Sequence, residues 1–303
     1  MEITRSNYVV MSKKNSSIIK SPLRYPGGKS RAIQTIIQYL PEKFSEYREP
    51  FIGGGSVFIY LKQKYPDLKY WINDLNPELF IFWKIAQSDL KTLIEKIRQV
   101  KAISTEGKKL FVELTTINPE TLSELERAAR FFILNRITFS GTVESGGYSE
   151  QSFHKRFTDS SIERLEKLET ILKDVKITNL DYSDLLLTPG KNVFSFLDPP
   201  YFYATPSRLY GKDGNLHTSF DHSRFAHTVK QCQHQWLITY DNSPEITKNF
   251  ADFNLFEWEL QYGMNNYKQE KAAKGKELMI SNYLVKPNQT LKSVEQLNLN
   301  LFY

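Results

Sequence analysis

Asp198-Pro199-Pro200-Tyr201 closes an apolar run, Val193-Phe194-Ser195-Phe196-Leu197, that reads as a buried strand. A carboxylate, two prolines and an aromatic ring at the C-terminal edge of a strand make a rigid polar notch with a flat lid. Each proline lacks an N–H, has a fixed φ and biases its predecessor toward extended backbone, so the loop holds its carbonyls outward. Such a notch suits an amino group on a planar ring. Asp198 can accept one N–H, the Pro199 carbonyl can accept the other, and Tyr201 can stack on the ring. A strand followed by a stiff turn is the plainer reading of the same residues.

Three other constellations could hold a ligand. Gly53-Gly54-Gly55 follows the short strand Tyr47–Ile52 and opens a helix, where glycines admit close backbone approach and the helix N-terminus offers N–H groups. Asp74 ends the next strand, 21 positions after Gly53. That spacing matches an acidic residue holding a ribose hydroxyl in a nucleoside-binding βαβ unit. The full dinucleotide fingerprint is absent, so an adenosine cofactor without a pyrophosphate fits better. Asn179-Leu180-Asp181-Tyr182 follows a further strand, where an acidic side chain could accept from an adenine amino group. Asp184 competes for that role, and a helix N-cap is an equally good reading of Asp181. Tyr25-Pro26-Gly27-Gly28-Lys29 places an aromatic ring and a cation around a tight turn without the GxxxxGK spacing of a Walker loop.

These residues need a scaffold. Apolar spacing at Ile33, Ile36, Ile37 and Leu40 predicts a helix after the Tyr25–Lys29 turn, and Ser56 to Lys64 reads as another. From about Leu79 to Leu172 helical periodicity dominates, with a polar, Gly-rich connector over Ser140–Ser160. Strands are expected at Tyr70–Ile72, Val175–Thr178, Val193–Leu197, Gln235–Thr239, about Phe253–Leu260 and Glu277–Leu284. Strands alternating with helices imply an α/β fold with a largely parallel sheet, interrupted by a helical insertion. Residues 1–19 read as a flexible basic leader.

Composition bounds the possibilities. The 303 residues are 40% hydrophobic with 20 Phe and 17 Tyr, enough for a substantial core. No apolar run is long enough to cross a bilayer, and the N-terminus lacks a signal-peptide core. A single cysteine, Cys232, leaves no intrachain disulfide framework and fits a reducing cytoplasm. Net charge is +6, and the first 31 residues hold seven basic groups and one acidic group. This is compatible with a polyanionic partner without demanding one.

The four constellations stand in the order aromatic-GGK, strand-GGG, strand-Asp, strand-DPPY. With LRYPGGKSR (Leu23–Arg31), EPFIGGGSVF (Glu49–Phe58), INDLNPELF (Ile72–Phe80), LDPPYF (Leu197–Phe202), WLITYDNSPEI (Trp236–Ile246) and KGKELMISNY (Lys274–Tyr283), the chain resembles the Dam-type, D12 class (alpha group) N6-adenine DNA methyltransferases. The resemblance covers most of the chain outside residues 1–19 and about 84–170. It implies S-adenosylmethionine as methyl donor, no metal, and a Rossmann-like S-adenosylmethionine-dependent methyltransferase sheet. Residues 20–83 and 171–303 would form the catalytic domain, and 84–170 a mostly helical target-recognition insertion.

Site roles follow from the resemblance. Tyr25 and Lys29 would contact the cofactor, Lys29 near its carboxylate, while Pro50, Phe51, Gly53 and Gly55 wrap its methionine end. Asp74 would bind the ribose, and Asp181 with Tyr182 the cofactor adenine. Asp198, Pro199, Pro200 and Tyr201 would hold a target adenine flipped out of double-stranded DNA, with Asp198 also near the cofactor. The family context suggests a cytoplasmic, nucleoid-associated protein of a bacterial or phage-infected cell, with a cognate restriction endonuclease as a potential partner and no membrane.

Other readings are weaker. A cytosine-C5 methyltransferase needs a nucleophilic cysteine, and Cys232 in KQCQHQW looks like a helix residue. A zinc deaminase needs paired cysteines. The five histidines show no metal-ligand spacing, and His222 and His227 are read as solvent-facing. An N4-cytosine methyltransferase is the nearest enzymatic rival, and a catalytically idle DNA-binding module is the rival from another class. In the insertion, Asn135-Arg136-Ile137-Thr138-Phe139 matches the Asn-Arg-x-x-Phe run of GATC-methylating members, but residues 142–157 do not match the Gly-Phe-Asn-type stretch those members carry next. Arg136, Lys155, Arg156 and Arg164 are candidates for phosphate contact or guanine reading, and the recognition sequence is open.

Overall fold

The computed structural model describes residues 3–4, 18–202, 219–261 and 274–285. Its strands are β1 (Ile3–Thr4), β2 (Lys43–Phe44), β3 (Glu46–Glu49), β4 (Lys69–Asn73), β5 (Val175–Thr178), β6 (Val193–Leu197), β7 (Gln235–Asp241), β8 (Asn254–Gln261) and β9 (Lys274–Ser281). β6 is buried at every position and β4 at all but its first. That pattern belongs to parallel strands covered on both faces. Seven strands form one sheet in the order β5-β4-β3-β6-β7-β9-β8. The pairs β5/β4, β4/β3, β3/β6 and β6/β7 are parallel, while β9 runs antiparallel to both β7 and β8.

This order creates a switch point. The chain moves outward from β3 through β4 to β5, then returns to lay β6 on the other side of β3. Ligands in open α/β sheets bind outside the strand carboxyl ends at such a crevice. The turn after β3 carries Gly53–Gly55, and the turn after β6 carries Asp198–Tyr201. Two segments roughly 145 positions apart in sequence therefore open onto one place.

The helices are α1 (Ile33–Ile36), α2 (Ser56–Lys64), α3 (Pro77–Ser88), α4 (Leu90–Ile103), α5 (Gly107–Thr116), α6 (Glu124–Ile137), α7 (Glu150–Arg156), α8 (Asp159–Glu166), α9 (Leu168–Ile171), α10 (Tyr182–Leu187), α11 (His222–Gln231) and α12 (Pro244–Asn249). α6 starts at a Ser123/Glu126 capping box and is buried at each residue from Ala128 to Ile137, as expected of a central helix. Its Phe132 stacks on Phe82 of α3, with ring centroids 6.2 Å apart and 12° between planes. The Glu78–Arg127 ion pair joins the same two helices. One apolar cluster runs from the sheet through these helices, so the insertion shares its core with the sheet.

The structure departs from the sequence expectations at several ends. The helix expected after Lys29 is only the four-residue α1 between two 3-10 turns. Leu40 must adopt extended backbone before Pro41, which stops propagation. The expected connector over 140–160 contains α7, started by a Ser149 cap, and the Thr158 capping box that opens α8. The leader reading for residues 1–19 lies largely outside the described residues. Within them, Ile3–Thr4 pairs with Lys43–Phe44, and Ile19 exchanges two hydrogen bonds with the Gln63 amide at 2.8 and 3.0 Å. β7 extends to Asp241, and β9 begins at Lys274 and ends at Ser281. Among the described residues no helix is long and apolar enough to cross a membrane.

Candidate active site

A cavity of about 370 Å³ lies at the switch point, within the roughly 300–1,000 Å³ range of small-molecule sites. It is lined by the Tyr25–Lys29 turn, by Glu49 to Val57, by Asp74, by Asp181 and Tyr182, and by Asp198 to Tyr201. All the cofactor and catalytic residues expected from sequence therefore meet in one space.

At one end sits the proline-braced notch. Asp198 Oδ1 accepts from Thr239 Oγ1 at 2.8 Å and pairs with Lys29 Nζ at 2.7 Å. Lys29 is only 4% exposed, donates also to the Gly27 carbonyl at 2.9 Å, and lies 4.8 Å above the Tyr201 ring. Asp198 Oδ2 takes no hydrogen bond among the described residues, so one carboxylate oxygen is committed and the other is open. The Tyr201 hydroxyl donates to Glu277 Oε2 at 3.0 Å, and the Phe202 N–H donates to Asp241 Oδ1 at 2.8 Å. Below the notch, Tyr47 donates to the buried Glu49 at 2.6 Å. Burial drives the Glu49 carboxyl well above the usual range, against the lowering effect of the Tyr47 hydrogen bond.

The glycine turn has a reason inside the protein. Gly53 and Gly55 hold positive φ of 46° and 67°, and Trp83 Nε1 donates to the Gly53 carbonyl at 3.2 Å. A Cβ on Gly53 would meet the Tyr25 ring at 2.8 Å, and one on Gly55 would meet Trp83 at 3.1 Å. The close approach expected for a ligand is thus made first by Tyr25 and Trp83, which mould the turn. Asp74 Oδ2 accepts from the Gly53 N–H and Oδ1 from the Asn76 N–H, both at 3.0 Å. Burial nonetheless lifts its pKa to about 6, since the two backbone donors offset only part of the desolvation.

At the other end, Phe51, Tyr182, Phe220 and Phe225 pack with centroids 5.3–5.9 Å apart. Asp181 caps α10 through the Ser183 N–H. Arg224, absent from the sequence expectations, grips both Asp181 oxygens at 2.8 and 3.0 Å and lies 5.0 Å over the Tyr182 ring.

Comparison with known proteins decides what this architecture is. The D12 class N6 adenine-specific DNA methyltransferase family matches residues 25–264. The chain belongs to this family. It is 30% identical to the Type II methyltransferase M.MjaIII of Methanocaldococcus jannaschii over 60% of this chain and 69% of that protein. It is 24% identical to M1.LlaDCHI of Lactococcus lactis over 89% of this chain and 98% of the relative. The DNA adenine methylase of Vibrio cholerae is 22% identical over 67% of this chain and 73% of its own length.

The protein is an adenine-specific DNA methyltransferase, and its sheet is the Rossmann-like methyltransferase sheet. Neither cytosine-N4 transfer nor an idle binding module is favoured. The methyltransferase reaction implies an S-adenosylmethionine donor, and the cavity fits one. It offers a carboxylate held by two backbone N–H groups, an aromatic wall and a Lys–Asp pair. Among the described residues no cluster of His, Cys, Asp and Glu could hold a metal.

The expected DNA contacts of the methyltransferase fall unevenly. Lys155, Arg156 and Arg164 are exposed, but Arg136 is 3% exposed, stacked 5.2 Å over Phe132, and its Nε lacks a hydrogen-bond partner among the described residues. Burial and then the neighbouring guanidiniums of Arg164, Arg24 and Arg156 bring its pKa down to about 9. Arg24 was missed from sequence, although its segment is the most basic. Its N–H donates to Asn135 Oδ1 at 3.0 Å, its carbonyl accepts from Asn135 Nδ2 at 2.6 Å, and its guanidinium reaches the Thr138 carbonyl and Ser152 Oγ. A Cβ on Gly141 would overlap the Arg24 carbonyl. Two other expectations change. His222 bonds the Tyr240 hydroxyl rather than facing solvent. Cys232 caps the end of α11, buried, with Sγ donating to the Leu186 carbonyl at 3.2 Å.

Proposed function

We propose that this methyltransferase acts on an adenine extruded from double-stranded DNA and held edge-on in the Asp198–Tyr201 notch. The observation that carries the reading is the divided Asp198 carboxylate, with Oδ1 tied to Thr239 and to Lys29, which lies over the Tyr201 ring, and Oδ2 without a hydrogen bond among the described residues. Oδ2 accepts one N6 hydrogen and the Pro199 carbonyl accepts the other. Both acceptors draw the nitrogen toward tetrahedral geometry and stabilise the positive charge that develops there. Tyr201 stacks on the purine and offsets part of the few kcal/mol that flipping costs. S-adenosylmethionine, when bound, supplies an electrophilic methyl carbon.

Tyr25, Lys29, Pro50, Phe51, Gly53 and Gly55 would hold the cofactor's methionine end, Asp74 its ribose, and Asp181 with Tyr182 its adenine. Lys29 would then divide its charge between Asp198 and the cofactor carboxylate. Mass spectrometry of nucleosides from unmethylated DNA incubated with protein and cofactor should find N6-methyladenine. N4-methylcytosine instead would overturn the reading.

Asp74 makes cofactor binding pH-dependent. With a folded pKa of about 6, raised above the unfolded value, its contribution to stability is present below about pH 4 and lost as pH rises through 6. The carboxylate is therefore ionised at neutral pH at some cost to the fold, which suits a ribose acceptor. Cofactor Kd, followed by calorimetry from pH 8 to 5, should stay level above 6.5 and then weaken, approaching about tenfold per pH unit. In Asp74→Asn the bend should vanish, and a bend that survives the substitution would assign it elsewhere.

Residues 84–170 serve as the target-recognition part, with Arg24, Lys155, Arg156 and Arg164 facing DNA phosphates and the buried Arg136 adding its charge behind them. The guanidiniums of Arg24, Arg156 and Arg164 gather around that of Arg136, a concentration of positive charge that suits a polyanion. Log affinity should fall with log salt, and the exposed pair changed together, Arg156→Ala with Arg164→Ala, should flatten the slope by about 2. An unchanged slope would place the phosphates on another face. The Type II methyltransferase relatives support a restriction endonuclease as genetic partner.

A further inference from the structure

Three polar side chains on one face of the sheet meet the underside of the notch. Thr239 and Asp241 lie two residues apart on β7 and so point the same way. Glu277 on β9 is the register partner of Asp241 and shares that face. Thr239 donates to Asp198 Oδ1 at 2.8 Å, Asp241 accepts the Phe202 N–H at 2.8 Å, and Glu277 accepts the Tyr201 hydroxyl at 3.0 Å. Thr239 and Glu277 are fully buried. Each bond removes a different freedom: rotation of the carboxylate, the path of the chain leaving the tetrad, and tilt of the ring. Apolar residues would hold the strands together equally well, and burying a hydroxyl and a carboxyl here is costly unless they are hydrogen-bonded.

We propose that Thr239, Asp241 and Glu277 form a positioning cradle that orients the Asp198 carboxylate and the Tyr201 ring for methyl transfer. This rests on the reading of Asp198–Tyr201 as the target-base notch. None of the three touches the adenine; they act through Asp198 and Tyr201. Because Thr239 and Lys29 both hold Oδ1, the cradle also selects Oδ2 as the acceptor for the amino group. The antiparallel β7/β9 pair thus supports the chemistry of a turn that follows the parallel strand β6.

The test is single-turnover methyl transfer to unmethylated DNA at saturating cofactor, with cofactor and DNA affinities measured alongside. Thr239→Val keeps the side-chain shape and removes the donor. It should slow transfer about 10- to 100-fold with both affinities unchanged, and Thr239→Ser should restore most of the rate. Glu277→Gln retains an acceptor and should stay near wild type, while Glu277→Met should be slow and no slower when combined with Tyr201→Phe. A purely structural role would instead move thermal midpoint and affinities together. Wild-type speed in Thr239→Val, or equal slowness of Thr239→Ser and Thr239→Val, overturns the cradle; should Thr239→Val not fold, wild-type speed in Glu277→Met does so. Asp198→Ala, run in parallel, separates the two readings. Activity in that variant sinks the notch itself, whereas its loss beside a fast Thr239→Val sinks only the cradle.

Discussion

Asp198→Ala is expected to lower the single-turnover methyl-transfer rate by about 10²–10³-fold or more, the scale seen when one preorganised electrostatic contact to a transition state is deleted. The loss belongs to kcat, because the acceptor matters most as the N6 nitrogen gains charge. The variant also strips Lys29, a 4% exposed ammonium, of its carboxylate partner and leaves it the Gly27 carbonyl and the Tyr201 ring face. Removing one partner of a buried pair destabilises by leaving an uncompensated charge, so the thermal midpoint should fall as well. Asp198→Asn separates the two effects. It preserves volume and one acceptor oxygen, and a stable, cofactor-binding but slow Asn variant would assign the loss to chemistry. A fast Asn variant would show that the carboxylate's charge is dispensable.

Tyr201→Ala should show the second largest loss, about 5- to 150-fold in methyl transfer, the value of one base–aromatic stack. A 2-aminopurine at the mapped target position should then report less flipping. The hydroxyl adds to the ring. Its bond to Glu277 and the Lys29 ammonium above the ring fix the plane on which a purine would lie. Tyr201→Phe should therefore fall between wild type and Tyr201→Ala, rather than match wild type as a ring that only stacks would. Equal rates for the Phe and Ala variants would remove stacking from the account.

Much of this site was legible in the linear sequence, for a physical reason. Strand-then-turn segments such as Val193–Tyr201 and Tyr47–Gly55 encode both burial and the place where it stops, and a parallel sheet brings such stops to one edge. The strand and helix expectations near the cavity held to within a few residues. What failed to show was long-range. Nothing near Arg224 or Thr239 in sequence announces that one will grip Asp181 and the other Asp198, because those bonds depend on the register of β7 and the seating of α11. Arg136 looked like a surface cation because its own neighbours are mixed; only α6 running through the shared core buries it. The short caps Ser149 and Thr158 were hidden by a run whose polarity reads as loop.

On the proposed reading of residues 84–170 as the target-recognition part, the junction at Arg24 limits how freely specificity can be transplanted. Its peptide group is held from both sides by the Asn135 amide, and Gly141 leaves just enough room for its carbonyl. The very next residue, Tyr25, moulds the glycine turn. A chimera receiving another relative's reading module would keep its methyl-transfer competence only if the graft brought an amide and a glycine to these two places. Swaps made without regard to them would damage the reaction centre while leaving every residue in it untouched.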